Sequence, residues 1–239
     1  MESSTMTTAI LIPARYGSTR YPGKPLVDLD GKPMIKRVYD ACVETGRDTF
    51  VLTDSMKIFP LFGSQNCWIE EDPYENGTAR CAGAISSKFF KAYDTFINVQ
   101  GDMPDVTSDM IGQCEEWLKY YSVSTVYTTM RKEEQERPES VKMVRAGDKA
   151  LWFGRGMTGY GDWHLGVYGY RSDALALYPD MEETVEERVE KLEQLRWLKA
   201  GWTIGCTRVD FNGIEINTEN DISLWHKNRE HLLSLGDFA

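Results

Sequence analysis

The 239-residue sequence predicts an α/β fold: a mostly parallel central sheet with helices on both faces, followed by a smaller β-rich portion. Two patterns carry that expectation. Up to Tyr120, short apolar runs alternate with segments of helical periodicity, and parallel neighbours need crossovers that such helices supply. Past Tyr120, strand-like runs follow one another with less helix between them.

The elements follow in order. Ala9-Ile10-Leu11-Ile12 reads as a buried strand that Pro13 ends. A helix is predicted over residues 34–46, where Met34, Ile35, Val38 and Cys42 recur at helical spacing between Pro33 and Gly46. Residues 50–52 read as a strand, 78–90 as a helix, and 95–99 as a strong strand running into the abrupt Gln100-Gly101-Asp102-Met103-Pro104 turn. Residues 109–120 read as a helix, then 123–130, 141–144, 150–153 and 165–170 as strands. One helix is predicted over 184–199, its apolar side formed by Val185, Val189, Leu192, Leu195 and Leu198. A strand over 203–209 and a terminal helix over 219–235 complete the chain. No repeat or linker interrupts it, so residues 1–239 read as a single domain, with residues 133–138 as a solvated excursion.

Composition narrows the function. A net charge of −10, from 27 basic and 37 acidic residues, argues against nucleic acid as a partner and suits a local cationic site for a small anionic ligand. The five cysteines are scattered without a C-x-x-C pair, which argues against a disulfide framework or structural zinc and favours a reducing cytoplasm. The first residues are polar, and no apolar run is long enough to span a membrane.

The most telling stretch begins where the first strand stops. Arg15, Arg20 and Lys24 crowd one strand end beside Gly17 and Gly23. Glycine lets backbone N–H groups approach anionic oxygens, arginine forks onto phosphate, and lysine adds a point charge. The spacing is not a Walker A loop: five residues separate the glycines, and Pro25 stands where a magnesium-binding hydroxyl is needed. A plain Gly/Pro turn accounts for Pro22-Gly23 but leaves three cations without a role. Triphosphate binding is the reading we adopt. Asp102, on a glycine turn after a buried strand, is the leading magnesium ligand.

Six blocks then resemble the 3-deoxy-manno-octulosonate cytidylyltransferases, the CMP-Kdo synthetases. They are Pro13-Ala14-Arg15-Tyr16-Gly17-Ser18-Thr19-Arg20 with Pro22-Gly23-Lys24-Pro25-Leu26-Val27; Gly31-Lys32-Pro33-Met34-Ile35; Asn76-Gly77-Thr78-Ala79-Arg80; Asn98-Val99-Gln100-Gly101-Asp102; His164-Leu165-Gly166-Val167-Tyr168-Gly169-Tyr170-Arg171; and Leu192-Glu193-Gln194-Leu195-Arg196. The resemblance implies a Rossmann-like nucleotide-diphospho-sugar transferase fold. Its nucleotide part would span about residues 8–120, a sugar-binding and dimerisation part about 121–210, and a return to the core about 211–239. It implies transfer of CMP from CTP to a sugar with release of pyrophosphate, in a possible homodimer, with magnesium as cofactor.

By position, the resemblance assigns nucleotide binding to Ala14, Arg15, Ser18, Arg20, Lys24, Gly77, Thr78, Arg80 and Gln100. Arg15, Ser18, Arg20 and Lys24 would hold the triphosphate, and Gly77, Thr78 and Arg80 the cytosine with Gln100 nearby. Arg15, Lys24 and Asp102 are its catalytic set, and Asp102 and Asn217 its metal positions. Arg155, His164, Tyr168, Glu193 and Gln194 would line the sugar site. From the residues alone, His164 reads as a structural donor in a strand and Glu193-Gln194 as a polar helix face.

Three departures stand out. Asn217 occupies the family's second metal aspartate, with Glu215 the nearest carboxylate able to compensate. Met103 replaces a glutamate, and the connection between Arg155 and His164 is short. A relative activating another sugar or sugar phosphate, or a weakened nucleotide-binding homologue, therefore stays open beside the first reading.

Overall fold

The computed structural model describes residues 6–17, 21–70 and 72–235; Ser18 and Arg20 of the expected triphosphate set lie outside the described residues. The chain opens with β1 (Thr8–Ala14), then the short hairpin strands β2 (Asp28–Leu29) and β3 (Lys32–Pro33) leading into α1 (Met34–Val43). Next come β4 (Asp48–Thr53), α2 (Gly63–Asn66), β5 (Cys67–Ile69), α3 (Gly77–Ile85), β6 (Thr95–Val99) and α4 (Ser108–Glu116). The second half holds β7 (Val123–Thr128), α5 (Lys132–Gln135), β8 (Lys142–Ala146), β9 (Lys149–Gly154) and β10 (Asp162–Arg171). It ends with α6 (Ser172–Leu177), α7 (Val185–Glu190), α8 (Gln194–Lys199), β11 (Ile204–Arg208) and α9 (Glu219–Leu235).

One nine-stranded sheet runs β5-β4-β1-β6-β10-β7-β11-β9-β8 among the described residues. Its first four strands are parallel, with Leu11 opposite both Phe50 and Asn98. β10 then lies antiparallel between β6 and β7, so the β-rich second half shares the sheet instead of forming a separate one. β8 pairs with β9 and also with the start of β10, which bends this end into a closed ring of five strands.

Strands buried on both faces explain the unbroken apolar runs. Ala9 and Leu11 face α3, α6 and α8 in one core; Ile10 and Ile12 face α1 and α4 in the other. Met103 is fully buried in that second core, so the replaced glutamate position serves packing. A small third cluster of Leu29, Met34, Ile214, Ile216 and Trp225 docks the end of the chain.

Two expected helices are shorter than predicted. The segment expected over 78–90 ends its α-helix at Ile85 and continues as a tight 3₁₀ turn over Lys88–Ala92, restarted by the Ser87 side chain accepting from the Phe89 N–H. The helix expected over 184–199 breaks at Lys191, which takes a left-handed conformation (φ 55°). Propensity favoured continuity there, but tertiary packing buries Leu192 and starts α8 afresh after Glu193. The break leaves Val185 and Val189 exposed, against the expected apolar stripe. The three-residue strand β5 carried too little pattern to be read.

Candidate active site

Ligands gather beyond the carboxyl ends of parallel strands. There the chain encloses a cleft of about 690 Å³. β1 delivers Ala14 and Arg15, and β6 delivers Gln100, Gly101 and Asp102. The glycines are dictated by space. A Cβ on Gly101 would sit 3.0 Å from Ile35 Cδ1, and one on Gly77 would sit 3.2 Å from Pro13 Cγ. Gly23 adopts φ +75°, and its N–H closes the cationic loop onto the Tyr16 carbonyl at 3.1 Å. That turn aims Lys24 at Asp102, with Nζ to Oδ2 at 2.7 Å. Arg15 is exposed and lines the cleft.

A further wall begins at the N-terminus of α3. Asn76 caps it by accepting from the Ala79 N–H at 2.8 Å, and Glu193 accepts from the Thr78 N–H at 3.0 Å. Burial raises the Glu193 carboxyl above its usual range, against the lowering effect of that hydrogen bond. Gly77 lines the cleft, whereas Thr78 is fully buried, its hydroxyl 3.2 Å from that of Tyr170. Arg80 also lines the cleft, but its guanidinium donates to the Glu70 carbonyl at 3.2 Å and pairs with Asp54 at 3.4 Å. It thereby ties α3 to two loops as well as presenting a cation.

β10 forms the floor. An irregularity between Leu165 and Tyr168 shifts its register against β7. Gly166 sits there because a Cβ would meet Gln100 Oε1 at 2.9 Å; its carbonyl accepts from the Gln100 N–H at 2.9 Å. The Thr125 hydroxyl donates to the Val167 carbonyl at 2.8 Å and lies 2.9 Å from His164 Nε2. That hydroxyl has one proton, so Nε2 must be the donor and Nδ1 is left as an acceptor. Burial, with Arg155 adding to it, lowers the His164 pKa to about 3.

A pH prediction arises here. Between a folded value of about 3 and an ordinary value of 6.5, the unfolded chain binds the extra proton, so acid destabilises the fold. We expect the His164 share to cost about 2 kcal/mol from about pH 7 to about pH 5, and His164→Gln to remove it. Urea midpoints at both pH values measure this. An equal acid loss in parent and variant would show that the buried ring accepts a proton.

Tyr168, buried, stacks on Tyr170, and Gln194 is buried with its Nε2 unpartnered among the described residues. Both line the cleft. Arg155 does too, at the end of β9. Its Nε donates to the Glu190 carbonyl at 3.0 Å and its Nη1 to the Glu139 carbonyl at 2.6 Å, so it also joins the wall together. The short connection after it turns at Gly161 (φ +98°), where a Cβ would come within 3.3 Å of the Met143 carbonyl.

The last wall is the segment over residues 213–217. Glu215 and Asn217 line the cleft with Asp102, and the Ile216 N–H donates to the Asp102 carbonyl at 2.9 Å. Burial, and then the neighbouring Asp102, push the Glu215 carboxyl up to about 8. No group of three or more His, Cys, Asp or Glu suited to a metal occurs among the described residues. Two carboxylates and an amide fit a hard cation that completes its shell with substrate phosphates. Thus, apart from Thr78 and the two undescribed positions, the expected residues converge on one cleft. Sequence reasoning missed Glu75 and Glu187, which line the cleft, and Arg196, which pairs with both; Arg196 stood in a recognised block, but nothing in spacing paired it with Glu187.

A family model described as cytidylyltransferase matches residues 9–204. A 3-deoxy-manno-octulosonate cytidylyltransferase of Pseudoalteromonas atlantica is 35% identical, across 82% of this chain and 87% of its own. An 8-amino-3,8-dideoxy-manno-octulosonate cytidylyltransferase of a Shewanella species is 37% identical, across 91% and 96%. Among solved structures, a CMP:2-keto-3-deoxy-manno-octonic acid synthetase in complex with CTP superposes with a TM-score of 0.82 at 30% identity, covering 95% of this chain and 99% of the other. A 4-diphosphocytidyl-2C-methyl-D-erythritol synthase from Anaerococcus prevotii, at 10% identity and a TM-score of 0.66, shares the fold.

Proposed function

We infer that this chain, which belongs to the cytidylyltransferase family, transfers CMP from CTP to 3-deoxy-manno-octulosonate and releases pyrophosphate. Its fold is that of the nucleotide-diphospho-sugar transferases. The observation that carries the reading is the cleft itself. Arg15, Lys24 and Asp102 line one cleft together with His164, Tyr168, Glu193 and Gln194. Cations sharing a cleft with neutral hydrogen-bonding side chains suit a triphosphate that meets a polyhydroxylated acceptor.

The sugar's anomeric hydroxyl oxygen bonds to the α-phosphorus as the bond to the departing pyrophosphate breaks in line with it, and the hydroxyl proton passes to solvent. Such transfer needs alignment and charge neutralisation more than a protein nucleophile. Arg15 and Lys24 meet the charge that gathers on the triphosphate. His164, held neutral with Nδ1 as an acceptor, orients a sugar hydroxyl instead of acting as a strong base. Gln194 Nε2 offers a donor to a sugar oxygen. Asp102 and Asn217 are the positions we assign to magnesium, which when bound would neutralise phosphate charge. Five buried, unbridged cysteines support a cytoplasmic setting.

One observation favours a second acceptor. The Shewanella relative at 37% identity is named for the 8-amino-3,8-dideoxy sugar, and Glu139 in the cleft lining is a carboxylate that a sugar ammonium would meet. The 8-amino-3,8-dideoxy sugar is therefore the alternative substrate. Pyrophosphate release from CTP, measured with both sugars and with a neutral hexose, distinguishes them. In the same assay Arg15→Ala and Lys24→Ala should each lose roughly two orders of magnitude in kcat/KM, the usual cost of one preorganised charge-stabilising group. Normal turnover in both variants would reduce the loop to an ordinary turn.

A further inference from the structure

We propose that Glu215 supplies the second carboxylate of the divalent-cation site, replacing the charge that Asn217 lacks. The inference rests on the cytidylyltransferase reading of the cleft and assigns a residue outside the family's pattern.

The argument begins with register. Three backbone donors pin the segment over residues 213–217. The Ile214 N–H donates to Asp105 Oδ2 at 3.0 Å, the Ile216 N–H to the Asp102 carbonyl at 2.9 Å, and the Asn217 N–H to Asp221 Oδ2 at 2.9 Å. Asp105 is itself held by Trp225 Nε1 at 2.8 Å. A Cβ on Gly213 would lie 2.4 Å from Asp105 Cβ, so only glycine allows this approach. Ile214 and Ile216 are buried against Leu29, Met34 and Trp225. Burial alternates along the segment, with Ile214 and Ile216 inside and Glu215 and Asn217 half-buried, so a one-residue slip would exchange the two sets. The pinned register therefore presents Glu215 and Asn217 together to the cleft, on either side of the residue bonded to Asp102.

Charge completes it. Lys24 is committed to the Asp102 carboxylate at 2.7 Å. Glu215 has no hydrogen-bond donor or ion pair among the described residues, although it stands beside the Asp102 wall. Glu215 is half-buried, and a carboxylate without a donor that shares a cleft with a second carboxylate is a position a cation relieves. A cation between Asp102 and Glu215 would satisfy both, with Asn217 offering a neutral oxygen and the nucleotide its phosphates. Such an ion would also compete with Lys24 for Asp102, so it should bind better once phosphates are present to receive the lysine.

Manganese is the probe. Free Mn²⁺ is counted by electron paramagnetic resonance in the presence of CTP without sugar, so that no turnover occurs. Glu215→Gln should weaken Mn²⁺ binding about tenfold or more, and Asn217→Ala by at most about threefold. CTP binding measured in excess chelator should stay unchanged in Glu215→Gln. Asp102→Asn is the control for the cleft reading. If it loses Mn²⁺ while Glu215→Gln does not, the inference fails and the reading of the site survives. If neither variant changes binding, both fail. A loss confined to Asn217→Ala, or weaker metal-free CTP binding in Glu215→Gln, would also overturn the assignment.

Discussion

Asp102→Asn should abolish pyrophosphate release, by three orders of magnitude or about that, while the protein melts close to its parent. The two halves of this expectation have different causes. Asparagine keeps the shape of aspartate, and the Gly101 turn that carries it packs so closely on Ile35 that a Cβ would sit 3.0 Å from its Cδ1, a fit the amide leaves untouched. The Lys24–Asp102 pair is partly open to water, with side chains 13% and 23% exposed, so its net contribution to stability is modest. Catalysis is another matter. The amide removes the negative charge that orders Lys24 and that the reading assigns to the cation. Turnover assays beside thermal melts separate the two effects. Full activity in the variant would sink the assignment of Asp102, and a large drop in melting temperature would make it a structural residue.

Legibility in this chain follows the range of the forces involved. β1 and β6 were readable because both faces of each strand are buried, which leaves continuous apolar runs, and because each run stops abruptly at a loop of unusual chemistry. Those two loops are neighbours because their strands are, so half of the cleft was implicit in local pattern. The break at Lys191 was not, since Glu186, Glu187, Arg188 and Lys191 favour helix and the reason to stop is the distant Thr78 N–H that Glu193 must reach. The closure of β8 onto β10 depends on pairing between residues such as Met143 and Asp162, which no local period encodes. His164, Tyr168 and Gln194 entered the site through family resemblance; as bare residues they read as a strand and a polar helix face. Asn217 illustrates the same limit. The position was found by motif, while the role of its neighbour Glu215 needed the backbone register.

Arg196→Met should cost about 3–5 kcal/mol of stability, the usual penalty for stranding one partner of a buried ion pair. Arg196 meets Glu187 through two bonds, Nε to Oε2 at 2.7 Å and Nη2 to Oε1 at 2.6 Å, with both residues about 5% exposed or less. Its ring neighbour Tyr178 lies 4.3 Å from the guanidinium, and Glu75 adds a half-exposed partner at 2.6 Å. The Tyr178 hydroxyl donates to Glu187 at 3.2 Å and accepts from Asn76 Nδ2 at 2.9 Å. Loss of Arg196 therefore reaches the cap of α3, and through it the end of the cleft that carries Gly77 and Glu193. The variant should show a lower urea midpoint together with a raised Michaelis constant for CTP. Arg196→Met combined with Glu187→Leu should recover most of the stability, because the pair is then replaced by apolar groups and no charge is left stranded. Recovery of stability without recovery of the CTP constant would locate the functional effect in the Tyr178–Asn76 link. A single variant as stable as its parent would mean that Glu187 finds water once Arg196 is gone, and that the wall behind the cleft is open in solution.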